Sequence, residues 1–161
     1  METSTTQAVA ATAARDLIPA EAFAAVVATV LDNNKGMEAS LAERITDEAL
    51  KFVAVCARRP GRGLRPSRIV DEGWHALILH TKVYEQLCTR LGRFVHHVPE
   101  RPDPSRHNAF QLEHTKASIW EIGYEADAAL WLAPTDTSIP VAADCEHTPQ
   151  SCGSCMDGGP N

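Results

Sequence analysis

Little in this chain announces an enzyme or a membrane protein. It has no P-loop, no G-x-G-x-x-G, no G-x-S-x-G and no H-E-x-x-H, so the common sequence marks of nucleotide binding, serine hydrolysis and zinc proteolysis are missing. The longest apolar run lies near residues 20–31. It is alanine-rich, interrupted by Glu21, and too short to cross a bilayer. Residues 1–7 lack a basic n-region, which argues against a secretory signal. Cationic excess is absent as well. With 15 Lys and Arg against 21 Asp and Glu, the net charge is −6, the wrong sign for a general nucleic-acid binder. The expectation is a cytoplasmic protein that engages neither nucleic acid nor membrane.

Alternating strand patterns and internal repeats are also lacking, whereas helical periodicity is plain. Phe23, Val26, Val27, Val30 and Leu31 mark a first helix, stopped by Asn33-Asn34-Lys35-Gly36. Leu41, Ile45, Ala49, Phe52 and Cys56 trace one stripe of a second helix over 41–58. Ser67 is an N-cap for a third helix, 68–91, and Gly92 fits its stop. A fourth, 105–122, offers Phe110, Ala117, Ile119, Trp120 and Ile122 as apolar contacts, and 127–132 suits a short turn. The predicted fold is all-α, a small bundle of about four helices. At 161 residues one folded unit is expected: a disordered arm over 1–15, a helical domain over 16–133, and a flexible Cys/His tail over 134–161. Arg58, Arg59, Arg62, Arg65 and Arg68 surround a Gly/Pro loop, read as a solvated basic patch, with an anionic ligand as the other reading.

What the chain does have is a dense set of ligand-type side chains between residues 71 and 97. Four of the seven histidines (His75, His80, His96 and His97) fall there, with Trp74, Tyr84 and Cys88. On the third helix Val70, Trp74, Leu77, Tyr84, Cys88 and Leu91 form a core-facing stripe. Asp71 and His75 lie beside it at i and i+4, close enough for a carboxylate to orient an imidazole or for both to bind one ion. His80 lies about 140° around the helix from His75, so one ion is not easily shared between them. Beyond Gly92, Phe94-Val95-His96-His97 can fold back along the helix, and in an extended segment only one of the two histidines faces it. The favoured constellation is His75 with His96 or His97 and a third ligand from Asp71, Cys88 or His114. Three protein ligands would make a catalytic-type metal site, four a structural one. Buried hydrogen bonding without any metal is the competing account.

A second cluster closes the chain. Cys145, His147, Cys152 and Cys155 offer four zinc ligands within 11 residues, and Gly153 permits the tight turn a C-x-x-C knuckle needs. A redox role for Cys152 and Cys155 is weaker, because no helix N-terminus stands behind them to lower a thiol pKa. Incidental thiols in an unstructured tail remain the plain alternative.

The order Trp74-His75, Leu79, Tyr84, Cys88, Gly92 resembles the repeated box of the glycine-rich-domain-containing-protein-like family, best over residues 65–100. The resemblance implies a short relative holding only the helical part, and marks His75, Tyr84 and Cys88. The second histidine of that family's box falls at Leu77 here, and no activity carries over. Three functions stay open: a metal-binding helical module, with zinc as the cofactor and a protein partner; a metalloenzyme with an open site near His75 and His97; and a precursor or scaffold whose tail is processed.

Overall fold

A computed structural model describes residues 12–98 and 108–142, and all regular structure among them is helical. After a 3-10 turn at Ala14–Leu17 come α1 (Ala20–Asn33), α2 (Ala39–Arg58), α3 (Arg68–Leu79), α4 (Thr81–Leu91) and α5 (Ala109–Glu121), then a 3-10 turn at Ala128–Leu130. The central member is α2, which packs against α1, α3, α4 and α5. Ile45, Ala49, Leu50, Phe52, Val53, Ala54 and Val55 are all buried, so apolar side chains ring most of its circumference, as in a helix enclosed by others. Phe52 sends its ring edge-on to Trp74 of α3 at 5.1 Å between centroids.

Gly73 sets how closely α3 approaches α2. A Cβ at this position would stand 2.7 Å from the Ile45 carbonyl oxygen and 3.0 Å from the Ala49 Cβ. A larger residue requires the two helices to shift apart.

The expectation of one long third helix is corrected. The chain breaks at His80 (φ −84°, ψ 65°), giving five helices where four main ones were expected. Neither Gly nor Pro marks the break. A tertiary contact supports it: the His80 Nε2 shares a hydrogen bond with Thr29 Oγ1 of α1 at 2.8 Å. The expected ends do occur. Ser67 Oγ accepts the Val70 N–H at 3.1 Å, and Gly92 takes the left-handed φ of 83° that favours glycine.

The apolar contacts expected of the fourth predicted helix, here α5, hold in part: Ile119 is buried and Ile122 packs against the core. Ala117, Phe110 and Trp120 are exposed, the last two at 77% and 70%, and the inward face of α5 is completed by Thr115 and Ser118. Thr115 Oγ1 donates toward the Arg65 and Gln111 carbonyls, both at 3.0 Å, and accepts the Arg65 N–H at 3.1 Å. A polar side chain thus joins α5 to the loop before α3, which hydrophobic periodicity does not detect.

Two buried polar groups tie the later chain to the bundle. Glu48, 1% exposed, accepts from Trp131 Nε1 at 2.7 Å and from the Asp127 N–H at 3.0 Å, and it pairs with Lys51. Asn34 Oδ1 accepts the Ala142 N–H at 2.7 Å, while its Nδ2 donates to Val30 O and to Glu72 Oε1. Arg68 is buried and donates to the Asp136 and Ile139 carbonyls, so it leaves the basic patch, and Arg59 and Arg62 pair with Glu121. No helix among the described residues is long and apolar enough to cross a membrane.

Candidate metal centre

Asp71 lies in the first turn of α3 and is buried; its two oxygens face two imidazoles. His75, one turn on, brings Nδ1 to 3.4 Å from Asp71 Oδ2. His97, from the segment after α4, brings Nε2 to 3.3 Å from Asp71 Oδ1. The two imidazole rings stand 4.4 Å apart between centroids. One ligand atom from each of Asp71, His75 and His97 can be chosen so that all lie within 4.8 Å of one another, the spacing of a group that could hold a metal ion.

His97 owes its place to a clamp built from the core stripe. Trp74 Nε1 donates to the Tyr84 hydroxyl at 3.0 Å, and that hydroxyl donates to the Val95 carbonyl. The chain after Gly92 is thereby drawn back toward α3, without regular structure over 94–98. Val95 turns inward and is buried, so His97, two residues on, turns inward as well. Its ring packs on Trp74 at 4.5 Å. His96 takes the outward alternate position, exposed beside Phe94. The clamp was legible only as parts: Trp74 and Tyr84 read as core side chains, and their joint hold on Val95 escaped notice, as did Gly73 and Asn34.

The electrostatics suit metal binding. Burial lowers the His75 pKa below its ordinary value, a shift that Asp71 and Glu72 oppose and His97 deepens. The imidazole is therefore neutral near pH 7, the form that ligates metal. Burial raises the Tyr84 pKa well above its ordinary value, so the hydroxyl keeps the proton it donates.

The other expected ligands lie elsewhere. Cys88 is buried on α4 against Tyr84 and does not join the group, His114 is exposed on α5, and His80 is engaged by Thr29. Cys145, His147, Cys152 and Cys155 lie outside the described residues. An open hollow of about 350 Å³, lined in part by Asp16, Leu17, Arg58, Arg90 and Tyr124, includes none of the triad.

This is a small helical protein with one compact His/Asp group of metal-binding spacing among its described residues. The family model that matches the chain, over residues 14–117, is UCP032817-like. Since the match spans roughly two thirds of the sequence, the chain belongs to the UCP032817-like family, which is uncharacterised. That corrects the resemblance to the glycine-rich-domain-containing-protein-like family: Trp74, Tyr84 and Cys88 are buried core side chains and Gly92 is a helix cap, positions that helix packing and capping favour in unrelated chains. No curated protein and no solved structure matches the chain.

Proposed function

We propose that the protein binds one zinc ion through Asp71, His75 and His97 and works as a metal-dependent interaction module. The observation that carries this reading is the spacing of donors around Asp71, at 3.3 and 3.4 Å. Ligands about 2.0–2.1 Å from a tetrahedral ion stand apart by a similar distance, and one donor from each of the three residues lies within 4.8 Å of the other two. Imidazole and carboxylate donors suit zinc, and the neutral state of His75 removes a competing proton. An ion held there ties α3 to the segment 94–98, whose Phe94 and Val98 are exposed, so metal loading controls the order of a surface a protein partner can meet.

The experiment is elemental analysis of the full chain, purified without chelator, beside Asp71→Asn, His75→Ala and His97→Ala. About one zinc per chain in the wild type, lost in each variant, supports the site. Undiminished metal in the variants, or none in the wild type under zinc supply, ends it.

A second reading, a hydrolytic zinc centre, has one observation in its favour. The His75 and His97 side chains are 28% and 18% exposed, so substrate and water can approach. A zinc-loaded protein that hydrolyses activated esters, and loses that activity with His97→Ala, would favour it over the module.

A further inference from the structure

The arginines around the Gly/Pro loop have separate fates. Arg59 and Arg62 pair with Glu121 at 3.6 and 2.7 Å, and Arg68 is buried on backbone carbonyls. Arg58, the last residue of α2, is exposed and forms no ion pair among the described residues. The same holds for Arg90, in the last turn of α4. A helix C-terminus favours a cation, which accounts for an arginine at either place. It does not account for both of them lining one hollow, of about 350 Å³.

Both guanidiniums have contacts that position them. Arg90 Nη1 donates to the Asp16 and Leu17 carbonyls at 3.2 and 2.8 Å. Those two bonds use both protons of Nη1. The edge formed by Nε and Nη2 keeps its parallel N–H pair, the fork that holds a carboxylate through two bonds. The Arg58 guanidinium lies over the Tyr124 ring, 5.9 Å from its centroid. A cation already positioned loses less side-chain entropy when a ligand arrives.

The rest of the lining selects the ligand. Leu17 and Tyr124 are buried, Leu91 and Ile122 half-buried, and together they supply an apolar wall. Asp16 lines the hollow too, so two positive charges and one negative leave a net charge of +1. That balance matches a monoanion better than a phosphate dianion. A volume of this order suits a small organic molecule.

We propose that the hollow binds a small organic monocarboxylate, with its head group on Arg58 and Arg90 and its apolar body against Leu17, Leu91, Ile122 and Tyr124. The site shares no residue with Asp71, His75 and His97 and stands independently of the zinc reading.

The test is calorimetric titration of the full chain, stripped of metal and dialysed, with octanoate. Metal removal prevents a bound ion from taking the carboxylate. The expected result is saturable binding at one site. Acetate, which has the same head group and almost no apolar body, should bind at least about tenfold more weakly. Arg58→Gln and Arg90→Lys should each weaken octanoate about tenfold, the second because it keeps the charge and loses the fork. Arg59→Gln, which removes a neighbouring charge engaged by Glu121, should leave octanoate binding unchanged, and so should His97→Ala. Helical circular dichroism checks that each variant is folded. Arg58→Gln leaves the Arg90 bonds in place, so it reports on the site even if Arg90→Lys loosens the turn at Ala14–Leu17. The proposal is overturned if the folded wild type binds no octanoate, or if binding survives both arginine substitutions. Equal losses in Arg59→Gln and Arg58→Gln would overturn it in favour of general charge attraction. Inorganic phosphate bound more tightly than octanoate would overturn it in favour of a phosphate site.

Discussion

The His97 Nε2 stands 3.3 Å from Asp71 Oδ1, although 26 residues separate the two. Nothing local brings them together. The chain must leave α3, form α4, turn at Gly92 and be caught at Val95 by Tyr84 before His97 arrives. The candidate metal centre is therefore a product of the clamp as much as of its own side chains.

Tyr84→Phe tests that dependence. It removes the donor to Val95 and leaves Trp74 Nε1 without its acceptor in a buried setting. The expected cost is about 1–3 kcal/mol in denaturant unfolding. Zinc affinity should fall as well, since His97 is no longer drawn in. Full stability with unchanged metal binding would mean that the clamp does not position the site.

Gly73→Ala addresses the α2–α3 contact. The added methyl meets the Ile45 carbonyl at 2.7 Å, and backbone yields less readily than a flexible side chain. Destabilisation of about 1–3 kcal/mol is expected from overpacking, even though alanine is the better helix former. A more stable variant in thermal melts would show that the two helices part easily.

Glu48→Gln probes the buried carboxylate. The neutral amide still accepts one bond but cannot form an ion pair with Lys51, which retains Asp47 at 3.1 Å and the Glu125 carbonyl at 2.8 Å. Loss of about 3 kcal/mol is expected, with the segment carrying Trp131 loosening first. Trp131 fluorescence, read in a protein carrying Trp74→Phe and Trp120→Phe, would follow that segment. Coincident unfolding by fluorescence and circular dichroism would contradict local loosening.

The pH dependence of the metal-free protein follows from His75. Its folded pKa lies below the unfolded value of about 6.5, so below that pH the unfolded state takes up more protons than the folded one. This contribution to stability is full above about pH 6.5 and is lost as pH falls through the folded pKa. The groups facing His75 are Asp71 and Glu72, which oppose the shift, and His97, which deepens it. Thermal unfolding in chelator between pH 7.5 and pH 5 should decline less steeply for His75→Gln than for the wild type. Equal slopes would remove His75 as a cause.

Helix existence was written locally. The stripe Leu41, Ile45, Ala49, Phe52, the cap at Ser67 and the stop at Gly92 need only neighbours along the chain. Half of the candidate site was legible for the same reason, because Asp71 and His75 are i and i+4 on one helix and meet wherever that helix forms. Helical periodicity also misled where the packing face was polar: Thr115 and Ser118 face inward on α5, while Trp120 and Phe110 face out.

By itself, then, the sequence determined an all-helical chain, the main helix ends, and a carboxylate beside a histidine. Tertiary structure decided that His97 and not His96 completes the group, because Val95 must be inward for Tyr84 to hold it. It decided the break at His80, because a partner on α1 stabilises a bend that no local residue signals. It also decided that residues 136–142 lie against the bundle, because Arg68 and Asn34 hold their backbone through bonds across more than sixty residues of sequence. Short-range periodicity reports on faces and caps, whereas the meeting of distant groups depends on how those faces pack.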